Sequence, residues 1–194
     1  MSHGAGHGLV EGENKKIAII ISILALFLAI AETLGKSAQT DALSFNVEAS
    51  NLWAFFQAKT IRRTTLETAA DQMDIDFQLA KDDGTKGVLK KRIDGWRGTA
   101  ARYESEPKAD GKGEGRKELM ARAIAAEKTR DVAMAKYHNF EYGSAAFQIA
   151  IVLASSYLIT GVAYLLWGAL GLGGIGVFFV AMALAVPNFH LFGH

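Results

Sequence analysis

Hydrophobic and polar positions are segregated along this chain. Residues 17–31 and 142–194 contain no Asp, Glu, Lys or Arg. All 21 Lys and Arg and 19 of the 20 acids fall in residues 11–16 and 36–141, with Glu32 at a boundary. Uncharged runs of this length predict membrane spans, because ~20 apolar residues cross the ~30 Å hydrocarbon core of a bilayer. The first predicted span covers 17–35, after a Gly- and His-rich tail over 1–16. The second uncharged block is too long for one span and suits two, at 142–160 and 163–186, with a turn at Thr160-Gly161 and a C-terminal tail over 187–194. Tyr157, Tyr164 and Trp167 lie near that turn, as aromatics do at a membrane interface.

A basic start, an apolar run and Ala29-Ile30-Ala31 also resemble a cleavable signal. The helical pattern runs past that point without a break, which favours an uncleaved anchor. Ala146, Ala150 and Ala154 put a small residue at every fourth position of span two, and Ala169 and Gly173 do the same in span three. Small residues at this spacing let helix backbones approach closely, so these five are read as packing positions. The glycine run Gly171–Gly176 loosely resembles a dinucleotide loop, but no strand precedes it. Apart from Glu32, no ionisable side chain lies in a span, which argues against a proton pump or an ion-coupled transporter.

The charged middle, 36–141, has its own periodicity. Phe45, Ala49, Leu52, Phe56, Lys59, Arg63, Leu66, Ala70, Met73 and Phe77 follow one another in steps of four and three. Leu89, Ile93, Trp96, Ala100 and Tyr103 repeat the pattern, as do Leu119, Ala123, Ala126, Arg130, Ala133, Tyr137 and Phe140. These are coiled-coil seams. Asp82–Gly87 and Pro107–Gly115 are the predicted breaks, the second a flexible elbow. The fold class is therefore an all-α membrane protein: three transmembrane helices and a long antiparallel, coiled-coil-like hairpin outside the membrane.

Composition narrows the function more than it names it. The absence of Cys excludes disulfides, thiol catalysis and Cys-ligated zinc. A net charge of +1 leaves no footprint for nucleic acid. No P-loop, nucleophile elbow or His-Glu-x-x-His motif occurs, so no catalytic residue, cofactor or metal site is assigned. His3, His7, His190 and His194 sit in the two tails, on opposite sides of a three-span protein, and His138 is read as an interfacial histidine. The acids around Asp71, Asp74, Asp76, Asp82 and Asp83 lack EF-hand spacing, and Lys90-Lys91-Arg92 reads as a solvated face.

Two clusters stand out. Leu52, Trp53, Phe55 and Phe56 cover most of a helix circumference, more than one hairpin stripe buries. Leaving Trp53 and Phe56 in water would forfeit roughly 2–3 kcal/mol each, so a subunit interface is expected, with contact to the chain's own third helix as the alternative. Just beyond them, Lys59, Arg62 and Arg63 would bind an anion or ring a pore in one reading, and pair with Glu67, Asp71 or acids on the return helix in the favoured one. Lys15 and Lys16 before span one lean toward a cytoplasmic N-terminus and an extracytoplasmic stalk.

The runs Asn14–Ala18, Gly35–Thr40, Asn46–Arg62 and Gln148–Ser155, together with Ala31-Glu32, resemble a family of small bacterial membrane proteins described only as a domain of unknown function. The resemblance covers most of the chain and is most specific over Leu52–Arg62. It implies a bacterial inner-membrane protein with one N-terminal and two C-terminal spans, and it brings no activity or ligand. The expected function is a non-enzymatic, homo-oligomeric scaffold whose partners are its own copies and membrane lipids. The alternatives are an oligomeric channel and an accessory subunit of a larger membrane complex.

Overall fold

The computed structural model describes the backbone of residues 5–186, with side chains from Asn14 onward. The described chain is all-helical: α1 (Ala5–Leu79), α2 (Asp83–Glu104), α3 (Arg116–Thr160) and α4 (Ala163–Ala185), in that order. α1 begins within the stretch expected as a tail. The tail histidines and the C-terminal segment 187–194 lie outside the described residues or side chains. Three of the helices, α1, α3 and α4, are long and apolar enough to cross a membrane. The described residues divide into two units, one formed by those before residue 44 and after residue 129, the other of residues 44–129.

In the unit of residues 44–129, α2 runs back along α1. Arg97 of α2 pairs with Asp71 and Asp74 of α1, and Glu104, further along α2, pairs with Arg63, further back on α1. The predicted seams are the packed faces. On α1 every position from Phe45 to Phe77 in the four-three series is buried or half-buried, and the same holds from Leu89 to Tyr103 on α2. The start of α3 closes the unit through a cluster of Ala49, Leu52, Leu119, Ala123 and Ala126, with Trp53 and Phe56 against it.

Both breaks differ from expectation. The first is shorter, because Asp82 caps α2: its carboxylate accepts the Thr85 N–H at 2.8 Å. That bond satisfies one of the orphan donors at the helix start and draws Gly84 and Gly87 into the helix despite their poor propensity. The second, between Glu104 and Arg116, is tied by the Glu118 carboxylate. One of its oxygens accepts the Ser105 hydroxyl at 2.6 Å and the other accepts the Glu106 N–H at 3.1 Å. Gly113 and Gly115 are buried there, and a side chain at Gly113 would strike the Glu106 carbonyl at 2.6 Å. The expected flexible elbow is therefore a packed turn.

The Ser105 hydroxyl and the Glu106 N–H hold the Glu118 carboxyl below its ordinary value of 4.5. A depressed carboxyl stabilises the turn above the ordinary value and ceases to do so as pH falls through the folded value. The Glu106 amide is thus expected to lose hydrogen-exchange protection as pH drops below about 4.5. Glu118→Gln should abolish that dependence, and protection unchanged down to low pH in the native chain would refute the tie.

In the other unit, α1, α3 and α4 pack together through two clusters. One joins Leu24 and Ala31 to Phe147 and Ala150, and the other joins Ala38 to Phe140 and Ala183. The α3–α4 connection is two residues, with Gly161 at φ +68° and its N–H donating to the Tyr157 carbonyl at 2.8 Å. That left-handed cap is the conformation glycine adopts at no steric cost.

Candidate functional site

The structure resolves the aromatic patch into two parts. Leu52 is buried in the cluster with Leu119 and Ala123. Trp53 packs edge-on against Phe56, and its Nε1–H donates to Glu127 of α3 at 2.9 Å. Phe56 lies beneath the Arg116 guanidinium, 4.9 Å from its ring centroid. Three of the four residues thus pack within the unit, largely against α3. For these three residues the structure shows the contact with the chain's own third helix that stood as the alternative reading. Phe55 alone is left out, 60% exposed.

The basic cluster divides in the same way. Arg63 donates through Nε to Glu67 at 2.9 Å and through a terminal nitrogen to Glu104 at 2.8 Å. Arg116 donates to the same Glu104 oxygen at 2.7 Å and to the Thr60 hydroxyl at 2.8 Å. Lys59 stands over the Tyr103 ring at 4.7 Å. Two guanidinium groups and two carboxylates cancel in charge, and they join α1, the end of α2 and the start of α3. Such a node fixes register between helices more than it adds stability, since half-exposed pairs are screened. Within the subunit Arg63 and Lys59 face these neighbours. Arg62 is exposed on another face of α1.

The sequence reading missed Glu104, Arg116 and Glu127. Arg116 had a signal: it lies three positions before Leu119 and extends the α3 seam by one step.

In the unit built from α1, α3 and α4, all five predicted packing residues, Ala146, Ala150, Ala154, Ala169 and Gly173, are buried. Their size matters: a Cβ at Gly173 would meet Leu24 at 2.9 Å, and one at Gly176 would meet the Phe147 ring at 2.7 Å. Leu24, Phe140 and Phe147 fill the space that these small residues leave, and many other large apolar side chains point outward, with Ile19, Leu26, Val152, Trp167 and Leu184 exposed. Small residues at the helix contacts and an outer surface rich in large apolar residues match helices packed in lipid.

A groove of about 460 Å³ in the same unit is lined by Glu32, Lys36, Gln39, Tyr137, Glu141 and Gln148, among others. Glu32, the lone acid of the first apolar run, accepts from Gln148 Nε2 at 3.2 Å, and His138 lies 3.4 Å from Glu141. Among the described residues no group of three or more His, Cys, Asp or Glu is placed to hold a metal ion.

One unit is thus a charge-matched helical assembly and the other an apolar helix bundle, and comparison with known families agrees with the resemblance to an uncharacterised domain family. The family profile described as a domain of unknown function, DUF4337, matches residues 13–186. The chain belongs to the DUF4337 family. The match takes in every described helix along most or all of its length, and it carries no activity or ligand. No curated protein and no solved structure matches the chain.

Proposed function

We propose that this DUF4337 member is a three-span, non-enzymatic scaffold of the bacterial inner membrane that assembles with copies of itself. Its N-terminus lies in the cytoplasm and its charged hairpin in the periplasm. Small residues at the contacts of α1, α3 and α4 and an outer surface rich in large apolar residues support the membrane part. Lys15 and Lys16 before the first apolar run support the orientation.

The observation that carries self-assembly is apolar surface left over in the water-facing unit. Phe55, Ile61, Ile75, Leu79 and Val88 are all more than half exposed there, although the same unit covers Leu52, Phe56 and Trp53. Ile61, Ile75 and Leu79 lie along one face of α1, and apolar side chains aligned on one exposed face support an interaction site there. The charged side chains of the node are spent on one another, which favours a structural role over catalysis. The conduit reading uses Lys59 and Arg63 as its gate, and the pairing of Arg63 with Glu67 and Glu104 weighs against that form of it.

Mass photometry of the full chain in mild detergent or native nanodiscs tests the assembly. A single multiple of the 20.9 kDa subunit is expected. Monomer alone would overturn the proposal, and a complex held together only by other proteins would replace it with the accessory-subunit reading.

A further inference from the structure

The seam that packs α1 against its own chain is not the only one that α1 carries. Two positions on, about 200° round the helix, a second four-three series runs from Val47 to Leu79. Val47, Ala54, Ile61, Thr68 and Ile75 occupy one heptad position, and Asn51, Ala58, Thr65, Gln72 and Leu79 occupy the other. All ten are exposed in the isolated subunit. None is charged, although the same 33 residues hold eight charged side chains elsewhere on the helix.

Chance does not readily keep eight charges off one stripe on a water-facing helix. The first seam accepts Lys59 and Arg63, whereas the second accepts neither sign. A shallow groove lined by Ile61, Thr65, Thr68 and Gln72 lies along it. The Thr65 hydroxyl donates to the Ile61 carbonyl at 2.9 Å, so it can be buried with its hydrogen bond made. The two flagged residues that the subunit does not cover, Phe55 and Arg62, each sit one position after a seam residue, on its shoulder.

We infer that this face of α1 is where a second copy of the same chain docks, as a parallel coiled coil over residues 47–79. The inference rests on the self-assembly proposed above and names its surface. A repeat of 3.5 residues is the signature of a partner that is itself a helix wound around this one. Copies inserted with one topology present α1 in the same direction, so the partner helix is parallel and in register. At ~1.5 Å per residue the seam is ~50 Å long, and a strip ~10 Å wide amounts to on the order of 500 Å² per copy. Two copies then bury about 1,000 Å², the size at which a specific interface becomes credible. Small residues at Ala54 and Ala58 bring the backbones close. The shoulders carry mixed charge, Glu48 and Arg62 among them, and Asp71, the acid that would face the partner's like charge, is held by Arg97 at 3.3 Å.

The absence of Cys makes the test clean. Ile61→Cys and Thr68→Cys are introduced singly in the full chain and oxidised in native membranes. In-register pairing brings identical residues together, so most of each variant is expected to run as a disulfide-linked dimer. Lys91→Cys, exposed on α2, should stay monomeric. Ile61→Lys should shift mass photometry from oligomer to monomer with an unchanged helical CD spectrum. Dimers formed equally by all three cysteines, disulfides only to other proteins, or an oligomer whose seam cysteines stay unpaired would overturn the seam. The last of these would leave self-assembly standing, whereas monomer throughout would remove both.

Discussion

Leu119→Ala is expected to destabilise the three-helix unit by about 3 kcal/mol. Leu119 is 2% exposed and is one of the two largest fully buried side chains among the described residues. Its neighbours on α3 and α1 include Ala123, Ala126 and Ala49. These alanines have no side chain to swing into the space, so only Leu52, Trp53 and Phe56 can relax toward the cavity and the loss lies well above that of a surface change. Leu119 also follows Arg116 by one turn, so its loss loosens the packing beside the node that joins all three helices. Trp53, against the same cluster, supplies the fluorescence signal for an equilibrium urea titration of the full chain in mild detergent. A change below about 1 kcal/mol would mean that this cluster is not the core of the unit.

Gly176→Leu is expected to cost at least as much, by overpacking. A Cβ at this position would stand 2.7 Å from the Phe147 ring, which is fully buried and has no room to move aside. Across the same contact, a Cβ at Gly143 would meet the Gly176 carbonyl at 3.2 Å, so the α3 and α4 backbones are already close. Separating the helices loses many small van der Waals contacts, at ~1–3 kcal/mol for modest overpacking and more for a leucine. Gly174→Leu is the control, since nothing lies within 4 Å of a Cβ there. Thermal aggregation in mild detergent should place Gly176→Leu well below the wild type and Gly174→Leu beside it. Adding Phe147→Ala to Gly176→Leu should recover part of the loss, because the two residues share one contact. Equal behaviour of the two glycine variants would refute the close approach.

Much of the fold was legible because it is periodic. The four-three series of α1, α2 and α3 predicted which face each helix buries, and every member from Phe45 to Phe140 is buried or half-buried. The alanine stripe of α3 was legible for the same reason. What escaped was set by geometry across chain distance. Trp53 and Glu127 lie 74 residues apart, and nothing local announces that the one bonds the other. The turn at Glu118 reads in sequence as a loose glycine-rich loop, because a carboxylate reaching back to Ser105 and Glu106 leaves no periodic trace. The second seam of α1 is a different case. It was present in the sequence, but only the structure, by leaving all ten positions uncovered, separates it from an ordinary polar face.

The two-residue turn at Gly161 bears on how the protein is made. On the three-span reading, α3 and α4 are joined too tightly for either to wait in water while the other inserts, and the connection carries no charge to hold it on one side. The pair must enter the bilayer as one hairpin, crossing out and back. An even number of crossings leaves the start of α3 and the end of α4 on the same side. On the proposed three-span topology, biogenesis then reduces to a single binary decision, taken when α1 inserts, and reversing the charge at Lys15 and Lys16 is the change expected to turn the protein over.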